Sequence, residues 1–223
     1  MINILYEDNH LLIVEKPVNV PVQEDRTKDL DLLTMLKRYI KEKYNKPGNV
    51  YLSLVHRLDR PVGGVILFAK TSKAASRMSD LVRRRALERK YLAIVRGKVK
   101  KDSDTLHHFL LKNHRKNQVS AVRKGTKKAK EAILHYETLD RTHSLSLIKV
   151  VLETGRSHQI RVQLSEIGHP LYGDQKYGRK QNKIGQQIAL WAYELSFIHP
   201  VQKKEITIRS KPPKTFPWNE FQL

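Results

Sequence analysis

The residues best placed to do chemistry fall in three short runs. The first is HRLDRPVGGVILFAK, residues 56–70, in which one acid, Asp59, lies between Arg57 and Arg60 ahead of a glycine-containing apolar stretch. Two guanidinium groups beside a carboxylate favour its ionised form, and an ionised carboxylate can serve as nucleophile or base. The plainer alternative is an ion pair that only stabilises a turn. The second run is RKYLAIVRG, residues 89–97, where Tyr91 follows two cations at the start of a strand. Its ring can stack on a base while its phenol hydrogen-bonds, although taken alone a tyrosine in that place reads more simply as a sheet-edge residue. The third is TGRSHQIRVQLSEIGHPLYGDQKYG, residues 154–178. Ser157 is a natural N-cap there, Ile160, Leu164 and Ile167 form an apolar stripe, and Gly168 with Pro170 closes the helix. His158, Arg161 and Ser165 lie off the stripe, giving a polar face near a helix N-terminus that suits an anion. His158 and His169 stand 11 residues apart with no clustered third ligand, so the spacing argues against a metal.

The rest of the chain must position these runs. Its 223 residues carry 43 Lys and Arg against 22 Asp and Glu, a formal charge of +21. That excess points to a polyanion, either nucleic acid or an anionic membrane. A basic protein that merely accompanies ribosomes would share it. No cysteine is present, which excludes disulfides, thiolate metal sites and a cysteine nucleophile. The N-terminal run MINILYEDNHLLIVEKP has acids and a histidine where a signal peptide needs a basic start and an apolar core. The apolar run Val65 to Ala69 is far short of a membrane span. These features imply a cytoplasmic protein without a membrane segment.

Hydrophobic spacing predicts a hairpin around Asp8-Asn9-His10 and a helix from Leu30 to Tyr44 ended by Pro47-Gly48. A buried strand is expected over 62–69, then a basic helix capped by Ser72 and reaching about Ala86. Further strands are expected at 91–97, 132–139, 144–153, 188–197 and 204–210. Strands outnumber helices and no βαβ rhythm repeats, so the fold class is α+β with a mixed, mostly antiparallel sheet. No phosphate-binding glycine loop is present. Residues 112–130 hold eight Lys or Arg and no acid. Such a stretch reads either as a solvated loop or as an arm that orders on RNA.

Together, HRLD at 56–59, KYLAIVRG at 90–97 and TGRSHQIRVQL followed by GHPLYGDQKYG at 154–178 resemble the three motifs of RluA-type pseudouridine synthases. The opening YEDNHLLIVEKP is similar to that family's first strand pair. The resemblance runs in order through nearly the whole chain and weakens only over about 98–131. It implies one catalytic domain over 1–223, with a basic insertion or loop at about 98–131 and helices and loops around a basic cleft. It implies isomerisation of uridine in ribosomal or transfer RNA, with no cofactor and no metal. In that reaction the base is cut from its ribose at nitrogen, rotated, and rejoined through carbon 5. Asp59 matches the essential aspartate, Tyr91 the tyrosine that packs on uracil, and Arg161 the basic residue that pairs with the aspartate. Arg57 stands where relatives help hold the flipped nucleotide out of the stack. Arg60, His158 and Gln159 are expected at the substrate, and Arg123, Lys124, Lys127 and Lys128 at RNA phosphates. The small N-terminal RNA-binding domain of longer relatives is expected to be absent, and the protein to be a monomer with no obligate protein partner. Two departures stand out: Val62-Gly63 replaces the usual hydroxyl residues, and Gln163 replaces a common histidine. The rivals are a catalytically silent RNA-binding protein and a metal-free nuclease using His56, His107, His108 or His158.

Overall fold

In the computed structural model, which describes residues 2–223, the chain forms eleven strands and three α-helices. In order these are β1 (Asn3–Glu7), β2 (Leu11–Lys16), α1 (Leu32–Lys43), β3 (Ser53–Leu54), β4 (Gly63–Ala69) and α2 (Ser72–Arg83). There follow β5 (Glu88–Arg96), β6 (Ser103–Asn113), β7 (Gln118–Val122), β8 (Lys130–Arg141) and β9 (Leu145–Leu152). The chain closes with α3 (Gln159–Glu166), β10 (Leu190–Ile198), β11 (Glu205–Arg209) and a 3₁₀ turn at Trp218–Glu220. This is the α+β class expected from the strand-rich pattern. Among the described residues no helix is long and apolar enough to cross a membrane.

The chain divides into two compact units, one running to Arg89 and taking in Ala192–Ser210, the other built from Lys90–Trp191 and Lys211–Leu223. In the first, the strand order is β1-β2-β4-β10, with β3 on β4 and β11 on β10. The Asp8 carboxylate shapes the first hairpin by accepting from the amides of His10 and Leu11, each at 2.7 Å. All of β4 is buried, so GGVILFA reads as a continuous apolar run instead of an alternating one. Leu11, Ile13, Val65 and Leu67 pack on one side with Met78 of α2, Leu195 and Phe197. Burying each of these large side chains contributes roughly 1.5–3 kcal/mol. Gly64 is required by the sheet itself: a Cβ there would come within 2.3 Å of the Ala192 carbonyl oxygen, at a φ of +110°.

Two helix starts fall within one or two residues of expectation. Asp31 caps α1 by accepting from the Thr34 amide at 3.0 Å. For α2 the cap is Thr71, one residue before the expected Ser72, accepting from Ala74 N at 3.1 Å.

In the second unit the order is β5-β9-β8-β6-β7, and each neighbouring pair is antiparallel. Much of the 98–131 stretch is regular structure and not an extended loop. β6 and β7 form a hairpin about residues 114–117, and a second turn at 123–129 leads into β8. Four buried residues explain this, with α3 supplying Val162 against Leu110, Val119 and Ala132. An apolar face thus anchors strands whose other residues are mostly polar and whose connecting turns are basic.

Candidate active site

Asp59 stands half-buried in the turn that feeds β4. Its carbonyl accepts from Val62 N at 2.9 Å, which closes the turn. The support beneath is Lys16, at the end of β2 and fully buried. The Lys16 ammonium donates to three backbone carbonyls, those of Pro17 at 2.8 Å, Val20 at 2.7 Å and Arg60 at 2.9 Å. One amine therefore ties the loop after β2 to the residue next to Asp59. Burial pulls the Lys16 pKa down to about 7, the charge of Asp59 opposes this, and Arg60 adds to the lowering. The sequence reading gave Lys16 no role. The available signal was a lysine directly before Pro17, at the end of a strand whose first four residues are apolar.

Arg60 does not flank Asp59 in the way its position in sequence suggested. Its guanidinium donates to the Asn19 carbonyl at 3.0 Å and to Thr27 Oγ1 at 3.0 Å, and it pairs with Asp29. It thereby holds the 19–29 loop. Arg57 is exposed. His56 accepts the Leu67 amide on Nε2 at 3.2 Å, and burial, with Arg89 adding, drives its pKa down to about 3. A neutral imidazole already bonded to an amide cannot supply the acid and base that a nuclease needs.

The second unit carries Tyr91, His158, Gln159 and Arg161. Tyr91 is buried in β5, opposite Val150 of β9. Arg161, on α3, makes a two-pronged ion pair with Asp174, Nε to Oδ2 and Nη2 to Oδ1, both at 2.8 Å. Both side chains are buried. Burial raises the Asp174 pKa, but Arg161 and the amides of Lys176 and Tyr177 outweigh it, and the net shift is downward. The Arg161 guanidinium also lies over the Tyr177 ring, 5.2 Å from its centre. Asp174 is a carboxylate partner that the sequence reading did not name, although it stands in the quoted GHPLYGDQKYG. Gly173 lets that loop close, since a Cβ there would meet the Gln187 carbonyl oxygen at 2.2 Å.

The start of α3 corrects another expectation. Ser157 is not the cap; His158 takes that position in the left-handed region, φ 52°, and no side chain caps the helix. Its Nδ1 lies 2.6 Å from the Tyr177 hydroxyl. Gln159, expected at the substrate, is turned inward. Its Oε1 accepts from Thr154 Oγ1 at 2.8 Å and Arg156 N at 2.9 Å, and its Nε2 donates to the Ile133 carbonyl at 3.0 Å. Gln163 is buried too, donating to the carbonyls of Leu106 and Ala132. Arg123, Lys124, Lys127 and Lys128 are all exposed on the turn after β7. The four histidines of the nuclease reading have separate neighbours: Leu67 for His56, Glu131 for His107, Gln163 for His108 and Tyr177 for His158.

A family model described as RNA pseudouridylate synthase matches residues 10–166. Over 226 residues the chain is 33% identical to an uncharacterized RNA pseudouridine synthase of Aquifex aeolicus, covering 96% of this chain and 71% of that protein. It is 34% identical over 212 residues to the ribosomal large subunit pseudouridine synthase C of Buchnera aphidicola, covering 92% and 65%. With the ribosomal large subunit pseudouridine synthase D of Zymomonas mobilis the identity is 32%, with 96% and 70% covered. The chain thus spans about two thirds of the length of these relatives. Among solved structures, human RNA pseudouridylate synthase domain containing 4 superposes with a TM-score of 0.81 at 24% identity, covering 97% of this chain and 90% of that one. Its counterpart, domain containing 1, gives 0.76 at 24% identity, covering 96% and 85%.

Proposed function

Since the chain belongs to the RNA pseudouridylate synthase family, we propose that it isomerises uridine in structured RNA, with Asp59 as the essential carboxylate. Ribosomal RNA of the large subunit is the first substrate to test, because that is what the names of two similar proteins specify. Transfer RNA is the alternative. The observation that carries the reading is the Asp59 turn: a half-buried carboxylate whose neighbour is bonded to a fully buried lysine. Such anchoring fixes the carboxylate before substrate arrives, and preorganised charge is worth more than charge that must be arranged during reaction.

The chemistry balances without another reactant. The bond from uracil N1 to the ribose C1′ breaks, the base turns, C5 bonds to C1′, the proton on C5 is released, and N1 takes up a proton from solvent, so the product is an isomer of the substrate. Asp59 either attacks C1′ or removes a ribose proton to open this route. Tyr91, aromatic and buried, packs on the uracil and takes the C5 proton. Arg161 supplies fixed positive charge, and its pair with Asp174 holds the guanidinium plane. Extruding the nucleotide from its stack is a precondition, because the reacting atoms are inaccessible in a helix; Arg57, exposed beside Asp59, contacts the extruded nucleotide. Incubating the purified protein with ribosomal RNA transcripts tests the proposal. A mass-neutral conversion of uridine is expected, whereas chain cleavage, or binding with no conversion, overturns it.

A further inference from the structure

Two segments far apart in sequence share an unusual composition. Residues 112–130 contain no acid, and neither do residues 175–193. In the second unit these segments are bonded together. Lys176 Nζ donates to the Asn117 carbonyl at 2.8 Å, and Val119 N donates to the Tyr177 hydroxyl at 2.9 Å. The β6–β7 turn and the loop after Asp174 therefore form one continuous surface. Its exposed cations are Arg115, Lys116, Lys176, Arg179, Lys180 and Lys183. The acid that precedes the loop, Asp174, is buried and already paired with Arg161, so it offsets little of that charge at the surface.

We propose that the 114–117 turn and the 176–183 loop together form a docking face for RNA phosphates outside the uridine that reacts. This rests on the reading of the chain as an RNA-modifying enzyme. Phosphates are favoured because cations supplied without acids neutralise a backbone charge and release its counterions, whatever the base sequence. The face is also preordered. The turn lies between two paired strands, and Asn113 Oδ1 accepts from Lys116 N at 3.1 Å. Binding thus orders little backbone, which lowers the entropy that association must overcome. Tyr177 connects this surface to the site, because the side chain that bonds β7 also lies against the Arg161 guanidinium. A phosphate docked here is held relative to the same frame that holds Arg161.

The test measures binding alone, so it can be read even if no uridine is converted. A generic RNA duplex is titrated against the full chain at several salt concentrations. The variant R115A/K116A/R179A/K180A is compared with K37A/R38A/K41A/K46A, which removes four exposed charges from α1 and the segment after it. If three of the four docking cations meet phosphates, the slope of log affinity against log salt flattens by about 2 to 3 units. The α1 set should change it by less than one such contact. R115K/R179K, which keeps the charge, should retain the original slope and shows that an effect of the alanine variant is not misfolding. Equal effects from the two alanine sets, or an unchanged slope, would overturn the proposal. So would anionic phospholipid vesicles that bind the same face and resist competition by RNA.

Discussion

Replacing Lys16 by Met examines the support under Asp59. Lys16 Nζ satisfies three buried carbonyls, and each hydrogen bond of this kind contributes roughly 1 kcal/mol net. A neutral lysine has two N–H groups to share among these carbonyls, so above the folded pKa the substitution should lower stability by about 2 kcal/mol. The pH dependence is the sharper signature. The folded pKa of about 7 lies below the ordinary lysine value, so between about pH 7 and 10 the unfolded chain binds more protons than the native one. Native stability then rises with pH through this window, by up to about 1.4 kcal/mol per unit. K16M lacks this gain. Its deficit should be largest near the top of the window and fall by roughly 4 kcal/mol towards pH 7, so that near neutral pH, where the wild type must bury an ammonium, K16M becomes the more stable protein. Urea unfolding of both proteins at several pH values measures the difference. A deficit that does not vary with pH would refute the assignment of a lowered pKa to Lys16, and no deficit at any pH would refute its role as an anchor.

Three other outcomes follow from the same structure. Asp174→Asn leaves the buried Arg161 guanidinium without its counter-charge and should destabilise the fold by about 3–5 kcal/mol, read by chemical denaturation. Replacing Arg123, Lys124, Lys127 and Lys128 by Ala should flatten the salt dependence of RNA affinity by about 2 units if three of them meet phosphates, and weaken unrelated RNAs by similar factors. Exhaustive chelation should leave uridine conversion intact, because the proposed steps use only side chains; loss on chelation with recovery on adding metal would contradict them.

Much of the frame could be read from periodicity and turn chemistry. The Asp8 hairpin, the helix after Asp31 and the apolar β4 all form where local pattern and burial agree. The β6–β7 hairpin could not be read in this way, because its charge concealed a thin apolar face. Ala132 of β8 and Val162 of α3, both distant in sequence, give Leu110 and Val119 something to pack on. The cap of α3 failed for a related reason. Gln159 bonds back to Thr154 and Arg156, shaping the turn by contacts that propensity does not register and leaving Ser157 without a capping role. Motif spacing singled out Asp59 and Arg161, but not what holds them. Lys16 acts through carbonyls, which carry no sequence identity, and Asp174 through a loop closed by Gly173.

The central claim is that Asp59 carries the reaction. When C5 bonds to the ribose, its hydrogen must leave, so RNA made with tritium at carbon 5 of uridine releases label once per isomerisation. Asp59→Asn keeps the size and shape of the side chain but cannot act as nucleophile or base. The wild-type protein should release tritium from ribosomal RNA, while the variant releases none and binds the RNA within about tenfold of wild type, since a loss beyond roughly 1.4 kcal/mol would mean that binding had also failed. Substantial release by the Asn variant would contradict the account.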